Sequence, residues 1–174
     1  FVSDGSIVST GWAATISCVA CVPPVYSIAA GTVSTCSGYF YDTGGPGANY
    51  GSSQNITETF CSSTGNCISV AFTSFATEAS IDILYIYDGP TTSSSLIGAY
   101  SGSTSPGTKT SSGGCLTFQF VSDASTVSTG WVATISCVSC VPPVYSIAAG
   151  TVSTCSGYFY DTGGPGANYG SSQN

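Results

Sequence analysis

The chain has 174 residues, of which only 5% are charged, and eight acids against one base give it a formal net charge of −7. This balance argues against nucleic acid and against anionic membrane surfaces as partners. His is absent, and the single base, Lys109, lies in a stretch rich in Gly, Ser and Pro, so the sequence predicts no enzyme. A Glu78/Asp82 pair of the glycosidase kind is the alternative, but acids grouped in this way are more typical of a cation site.

A long internal repeat organises the sequence. Residues 120–174 repeat residues 1–55 with substitutions at only four positions, 5, 7, 13 and 20 of the first copy. The offset of 119 residues is an ordinary length for one domain. We therefore expect the end of one unit in residues 1–22, a complete unit in 23–140 and the start of the next in 141–174. An internal segment of a long tandem array explains this pattern economically, and a short product of recent duplication is the alternative.

Strand patterns follow one another along the complete unit, and helix patterns are absent. Three segments alternate apolar and polar residues with a period of two, and one segment is apolar on both faces apart from Asp82, as in a central strand. In chain order these segments are Cys67–Phe75, Ile81–Tyr87 (the apolar one), Leu116–Val121 and Trp131–Cys137. Turns rich in Gly and Pro separate them, at 44–47, 88–90, 105–107 and 112–114. The pattern predicts an all-β sandwich.

Nine cysteines are present, six of them in each 119-residue period. Zinc sites are disfavoured because His is absent and the two Cys-x-x-Cys pairs are copies of one another, one domain apart. Disulfide bonds, and with them a secreted, extracellular protein, are favoured. We expect bridges Cys67–Cys115 and Cys137–Cys140, with Cys18–Cys21 as the copy of the latter. Six cysteines permit 15 connectivities, so these pairings are weakly determined.

A proline-containing segment joins successive units. It reads Cys-Val-Pro-Pro at residues 21–24 and again at 140–143. Two prolines favour an extended and stiff connection. A stiff connection is what a rod or filament of identical units needs, although an ordinary spacer between domains has the same composition.

Several motifs of the complete unit, in this order, resemble the CUB domain family, in particular its bacterial extracellular type. They are GYFYDTGG at 38–45, DILYIYDG at 82–89 and LTFQFVSD at 116–123 followed by Gly130-Trp131. The resemblance covers about 100 residues of each period. It implies a jelly-roll-like β-sandwich of two sheets, and the internal repeat sets such sandwiches in tandem every 119 residues. It also implies that Cys36 pairs with Cys61.

Many members of that family bind calcium at one end of the sandwich. The matching acids are Glu78, Asp82 and Asp123, with Ser125 as a neighbouring ligand and Asp42 as a further candidate. The composition supports this assignment, because one base cannot neutralise eight acids and an unpaired buried carboxylate is costly. Oxygen ligands of this kind suit calcium. The alternative is that Asp42, Asp82 and Asp88 cap turns through hydrogen bonds to backbone N–H groups.

Two functions remain open on these grounds. The near-identity of the copies favours a structural subunit of an extracellular filament or surface fibre, in which neighbouring copies of the chain are the partners. A secreted, calcium-dependent adhesion module that recognises protein or glycan is the alternative. The sequence Asn55-Ile56-Thr57 is a candidate site for an attached glycan at Asn55. The sequence contains no apolar run of the length that insertion into a membrane requires.

Overall fold

The computed structural model describes residues 22–140 and, beyond them, the backbone of two short strands at 144–146 and 158–160. Within these residues every regular element is a β-strand. In chain order the strands are β1 Val25–Ser27, β2 Gly31–Ser34, β3 Ser37–Tyr41, β4 Asn55–Cys61, β5 Cys67–Ala76, β6 Ile83–Asp88, β7 Ser95–Tyr100, β8 Thr108–Thr110, β9 Cys115–Val121, β10 Gly130–Val138, β11 Val144–Ser146 and β12 Tyr158–Tyr160. The all-β prediction is confirmed.

Two five-stranded sheets form the sandwich of the complete unit. One has the order β1-β3-β10-β5-β8 and the other the order β2-β4-β9-β6-β7. β1 runs parallel to β3 and β2 parallel to β4, and the remaining neighbours are antiparallel. The apolar strand predicted at 81–87 is β6, which lies between β9 and β7 as a non-edge strand. It begins at Ile83, so Asp82 directly precedes the strand.

The core lies between the sheets and consists largely of aromatic residues. The alternating segments supply it, because residues i, i+2 and i+4 of a strand share one face. Phe40 contacts Phe60 and Phe118 with ring centroids 4.9 and 5.0 Å apart, and Trp131 contacts Phe120 at 5.1 Å. All five side chains are fully buried.

The strand directions give the sandwich two chemically different ends. β5 and β9 run towards one end, where Glu78 and Asp123 follow them, and β6 begins there after Asp82. We call this the acid end. β4 ends at the opposite end with Cys61, and β5 and β9 begin there with Cys67 and Cys115. We call this the disulfide end.

All six cysteines of the complete unit form disulfide bonds, but none of the predicted pairings occurs. The structure has Cys36–Cys137, Cys61–Cys115 and Cys67–Cys140, so the expectations Cys36–Cys61, Cys67–Cys115 and Cys137–Cys140 are wrong. The strand register determines the true pairs. Cys61 lies directly opposite Cys115 in the β4–β9 ladder, and Ser37 lies opposite Ser136, which brings Cys36 beside Cys137.

The remaining pair follows from the β5–β10 ladder. Val138 lies opposite Cys67, so Cys140 is two residues beyond the position that faces its partner. The expected Cys18–Cys21 bridge lies outside the described residues. The described part of the chain contains no helix of the length and apolarity that crossing a lipid bilayer requires.

The short strands β11 and β12 lie in the second copy of the repeated sequence, residues 120–174. Val144 pairs with Tyr158 and Ser146 with Tyr160 in a parallel ladder. β1 and β3 show the same register 119 residues earlier, with Val25 opposite Tyr39 and Ser27 opposite Tyr41. Both copies of the repeated sequence therefore form the same pair of strands.

Candidate metal centre

Three carboxylates meet at the acid end of the sandwich. Glu78, Asp82 and Asp123 each offer one oxygen, and these oxygens all lie within 4.8 Å of one another. Asp82 is fully buried, Glu78 is half-buried and Asp123 is exposed. The three residues are far apart in sequence and are brought together because β5, β6 and β9 start or end at the same edge. The cluster is open to solvent on the side of Asp123.

A tyrosine and a backbone amide hold Asp82 in place. The Tyr50 hydroxyl donates to Asp82 Oδ2 at 2.7 Å and accepts a bond from the Glu78 backbone N–H at 3.0 Å. The Asp123 backbone N–H donates to Asp82 Oδ1 at 2.9 Å. Burial and the bond to Asp82 raise the pKa of Tyr50 well above its usual value, so the hydroxyl remains a donor. The network fixes Asp82, while each of its oxygens keeps a lone pair for a further ligand.

Glu78 lacks the partners that Asp82 has. Its Oε2 is buried and makes no hydrogen bond within the described part of the chain. Burial, and then the carboxylates of Asp123 and Asp82, raise the pKa of Glu78. Lys109, the only Lys or Arg of the sequence, lies elsewhere, with Nζ 5.3 Å from the centroid of the Tyr100 ring. A divalent cation bound by oxygen ligands would supply both the missing partner and the missing positive charge.

Ser125 and Thr126 border the cluster. Ser125 donates to Asp123 Oδ1 from its backbone N–H at 2.8 Å and from its hydroxyl at 3.1 Å. These bonds hold the Asp123 carboxylate in one orientation and keep the Ser125 hydroxyl beside it. Ser125 is one of the ligands expected from the sequence. A hydrogen bond from Thr126 favours the ionised form of Glu78. The loop that follows β9 thus orients the Asp123 carboxylate.

Asp42 does not join the cluster, although the sequence made it a candidate ligand. Its fully buried carboxylate accepts bonds from the backbone N–H of Gly44 at 2.8 Å and from that of Trp131 at 3.0 Å. These bonds close the turn after β3 and fasten it to the first residues of β10. Asp42 therefore performs the capping role that was the alternative for these acids.

Replacing Asp42 with Asn tests whether Asp42 caps the turn after β3 or acts as a calcium ligand. One oxygen becomes an NH₂ group that faces a backbone donor, so we expect the free energy of unfolding to fall by about 1–3 kcal/mol. Urea denaturation measures this loss, and a calcium titration of the folded variant should give the wild-type affinity. A calcium affinity reduced tenfold or more would return Asp42 to the ligand set.

Glu58 is a buried acid that the sequence reasoning missed. It lies in β4 opposite Phe118 of β9, and its Oε2 accepts a bond from the Ala29 backbone N–H at 3.1 Å. Burial raises the pKa of Glu58 to about 7. A signal was present, because Ile56, Glu58 and Phe60 alternate with Thr57 and Thr59, which places Glu58 on the apolar face of its strand.

Asn55, the residue predicted to carry a glycan, begins β4 and is exposed. Its Oδ1 accepts a bond from Gln119 Nε2 at 3.0 Å. Tyr50, which holds Asp82, was not among the site residues expected from the sequence. No sequence signal reveals its contact with Asp82, because 32 residues separate the two.

The sequence model of the CUB domain family matches residues 30–135. Among solved structures, the full extracellular region of zebrafish Gpr126/Adgrg6 aligns with a TM-score of 0.55 and 21% identity over 65% of this chain and 15% of that one. The CUB1-EGF-CUB2 domain of human MASP-1/3 aligns with a TM-score of 0.53 and 19% identity, over 64% of this chain and 43% of that one. The chain thus spans less than half the length of either structure.

A third structure is closer in length to the complete unit. The crystal structure of the MASP-1 CUB2 domain bound to Ca²⁺ aligns with a TM-score of 0.52 and 20% identity. The alignment covers 62% of this chain and 98% of that domain. At such identities the similarity concerns the fold alone.

Proposed function

Because the chain belongs to the CUB domain family, a family of extracellular binding modules, we propose that it is a secreted module whose acid end binds calcium and, through it, a partner. The cluster of Glu78, Asp82 and Asp123 is the observation that carries this proposal. The three disulfides of the complete unit fit an oxidising, extracellular location.

The donor set is of the kind that calcium prefers. Calcium takes six to eight oxygen ligands at about 2.3–2.6 Å, from carboxylates, carbonyls and water. Glu78, Asp82 and Asp123 would supply the carboxylates, Ser125 is a further oxygen, and water has access on the exposed side of Asp123. The buried, unpartnered Oε2 of Glu78 supports the proposal, because burying a polar atom without a partner is costly.

The role of the cation would be twofold. It would tie together the loops that follow β5 and β9, and it would leave coordination positions or neighbouring loop residues available to a ligand. An acidic or hydroxyl-bearing group of a protein or a glycan could complete such a coordination shell. Calcium removal would then loosen the binding end while the aromatic core between the sheets stayed folded.

Calcium titration of the intact chain tests the proposal. At a free calcium concentration about 100-fold above Kd, binding should raise the free energy of unfolding by about 2.7 kcal/mol, measured as a shift of Tm. Asp82→Asn should remove the shift, because it takes away the central carboxylate. Asp123→Asn, at an exposed position, should weaken binding without affecting the fold.

Asp88→Asn is the matched control. It removes one negative charge as well, but Asp88 lies at the far end of β6, where its Oδ1 accepts a bond from the Ser112 backbone N–H. This variant should keep the wild-type response to calcium. Equal losses in Asp82→Asn and Asp88→Asn would mean that calcium only screens the net charge, and the proposal would fail.

A second candidate is a structural subunit of an extracellular filament or surface fibre. The near-identity of the two copies of the repeat favours it, because identical units can make identical contacts along an array. Electron microscopy of the native material would show regular fibres under this proposal, whereas dispersed, flexible strings would argue against it. Attachment of a glycan at the exposed Asn55 is an associated proposal, and an intact mass above 17.4 kDa would support it.

A further inference from the structure

A groove of about 260 Å³ lies on the outer face of the sheet β1-β3-β10-β5-β8, in the half nearer the acid end. Its floor includes one row of side chains, because Tyr41 of β3 and Ser74 of β5 both lie opposite Val132 of β10. The neighbouring Trp131 is fully buried on the core side, so this row points away from the core. The volume is slightly below the range of about 300–1,000 Å³ for drug-sized ligands, which suits a single small ring.

Polar groups surround this floor. Asn49, from the segment after β3, and Thr129, from the loop before β10, line the groove and are exposed, as is Ser74. Amide and hydroxyl groups both donate and accept hydrogen bonds. Trp131 lines the groove as well, and its Nε1–H is buried without a hydrogen-bond partner within the part of the chain that the structure describes. An apolar floor with a few polar groups around it is the usual composition of a small-molecule site.

A second aromatic ring extends the groove along β3. Tyr39 lies two residues before Tyr41 on the same face, and the centroids of the two rings are 6.5 Å apart. Tyr39 is 38% exposed, and Val25, which lies opposite Tyr39 on β1, is 53% exposed. The groove therefore continues into an exposed aromatic surface towards the middle of the sheet.

This surface carries no charge. β1, β3, β5 and β10 contain no charged residue, and neither does the segment 43–49. Lys109 of β8 lies opposite the buried Val70, with its Nζ near the Tyr100 ring, so it does not face the groove. A charged ligand would lose water here without gaining a counter-charge, whereas a neutral ligand pays no such cost. The groove thus favours a neutral ligand.

We propose that the groove and Tyr39 form a binding site for a neutral saccharide, separate from the calcium cluster. The faces of a sugar ring carry C–H groups that pack against aromatic rings, and its hydroxyls both donate and accept hydrogen bonds. One sugar in the groove would pack on Tyr41 and bond to Asn49 and Thr129. The next sugar of the same glycan would pack on Tyr39. No residue of this site is a candidate calcium ligand, so binding needs no cation.

Titration of the intact chain with neutral oligosaccharides tests this site. The probes are hexasaccharides of glucose, mannose, galactose and N-acetylglucosamine, and binding is followed by NMR in the presence of chelator. We expect at least one probe to bind and to shift the backbone signals of Asn49, Thr129 and Val132. Tyr41→Ala and Asn49→Ala should each weaken that binding on the order of tenfold, because each removes one aromatic or hydrogen-bonding contact.

Tyr85→Ala is the matched control. Tyr85 is half-buried, like Tyr41, but lies on the outer face of the other sheet, between the buried Leu84 and Ile86 of β6. This variant should bind the saccharide like the parent chain. Absence of binding to all of the probes, equal losses in Tyr41→Ala and Tyr85→Ala, or a requirement for calcium would overturn the proposal. Asp82→Asn should leave saccharide binding unchanged, so this proposal and the calcium proposal fail separately.

A contact between two copies of the chain is the other way to cover Val25 and Tyr39. Sedimentation of the parent chain and of Tyr39→Ser at the same concentration distinguishes the two occupants. Under our proposal both chains sediment as the same species, and Tyr39→Ser has a reduced affinity for the hexasaccharide. A changed association state with unchanged saccharide affinity would contradict the saccharide site.

Discussion

Replacing Glu58 with Gln should stabilise the protein at pH 8 by about 3 kcal/mol and change its stability little at pH 4. Burial raises the pKa of Glu58 from the ordinary 4.5 to about 7 in the folded chain. The folded state therefore binds the proton more tightly than the unfolded state does. Its contribution to stability is fully present below about pH 4.5 and is lost as the pH rises through about 7. A shift of this size corresponds to about 3 kcal/mol at 1.36 kcal/mol per pKa unit.

Glutamine has nearly the same shape as glutamate but removes this dependence of stability on pH. Its amide oxygen can still accept the bond from the Ala29 backbone N–H, and it carries no charge at any pH. Urea denaturation of both proteins at pH 4, 6 and 8, in the presence of chelator, gives the comparison directly. The measurement at pH 4 is the internal control. A variant that is equally stable to the parent at pH 8 would show that Glu58 reaches solvent and is not buried among the apolar residues.

Removing the Cys36–Cys137 bridge should lower the free energy of unfolding substantially. The two cysteines are 101 residues apart, but while the Cys67–Cys140 bridge is intact the loop runs only from Cys36 to Cys67 and from Cys140 back to Cys137. The chain-entropy relation gives about 4 kcal/mol for a loop of about 35 residues. The double variant Cys36→Ala/Cys137→Ala should lose stability on that scale, measured by urea denaturation under non-reducing conditions.

The same double variant discriminates between the pairings. Under the structural pairing it removes both partners of one bridge, so the number of free thiols equals that of the parent chain. Under the pairing Cys36–Cys61 with Cys137–Cys140, the double variant would leave Cys61 and Cys140 without partners and would add two free thiols. Thiol counting on the unfolded protein, with peptide mapping of the remaining bridges, therefore contradicts one account or the other.

The fold class was predictable from the sequence because period-two alternation and ordered motifs are local signals. The segment Cys67–Phe75 alternates apolar and polar residues and forms most of β5, as expected. The acids Glu78, Asp82 and Asp123 were grouped by the resemblance to the CUB family, and each of them follows or precedes a recognisable strand. The ends of such strands meet at one edge of a sandwich once the strand directions are known.

The disulfide pairing was not predictable in this way, because it depends on the register between strands that are distant in sequence. Cys61 and Cys115 are bonded because the β4–β9 ladder places them opposite one another, and nothing local in the chain specifies that register. The role of Asp42 was underdetermined for the same reason. Its partner, the Trp131 backbone N–H, lies 89 residues further along the chain.

Anomalous scattering from crystals of the chain grown with calcium is the most direct test of the proposed cation site. We predict one peak at the acid end, with oxygens of Glu78, Asp82 and Asp123 at about 2.3–2.6 Å from the ion. A crystal grown at millimolar calcium with no peak among these three carboxylates, or with its peak on other residues, would contradict it.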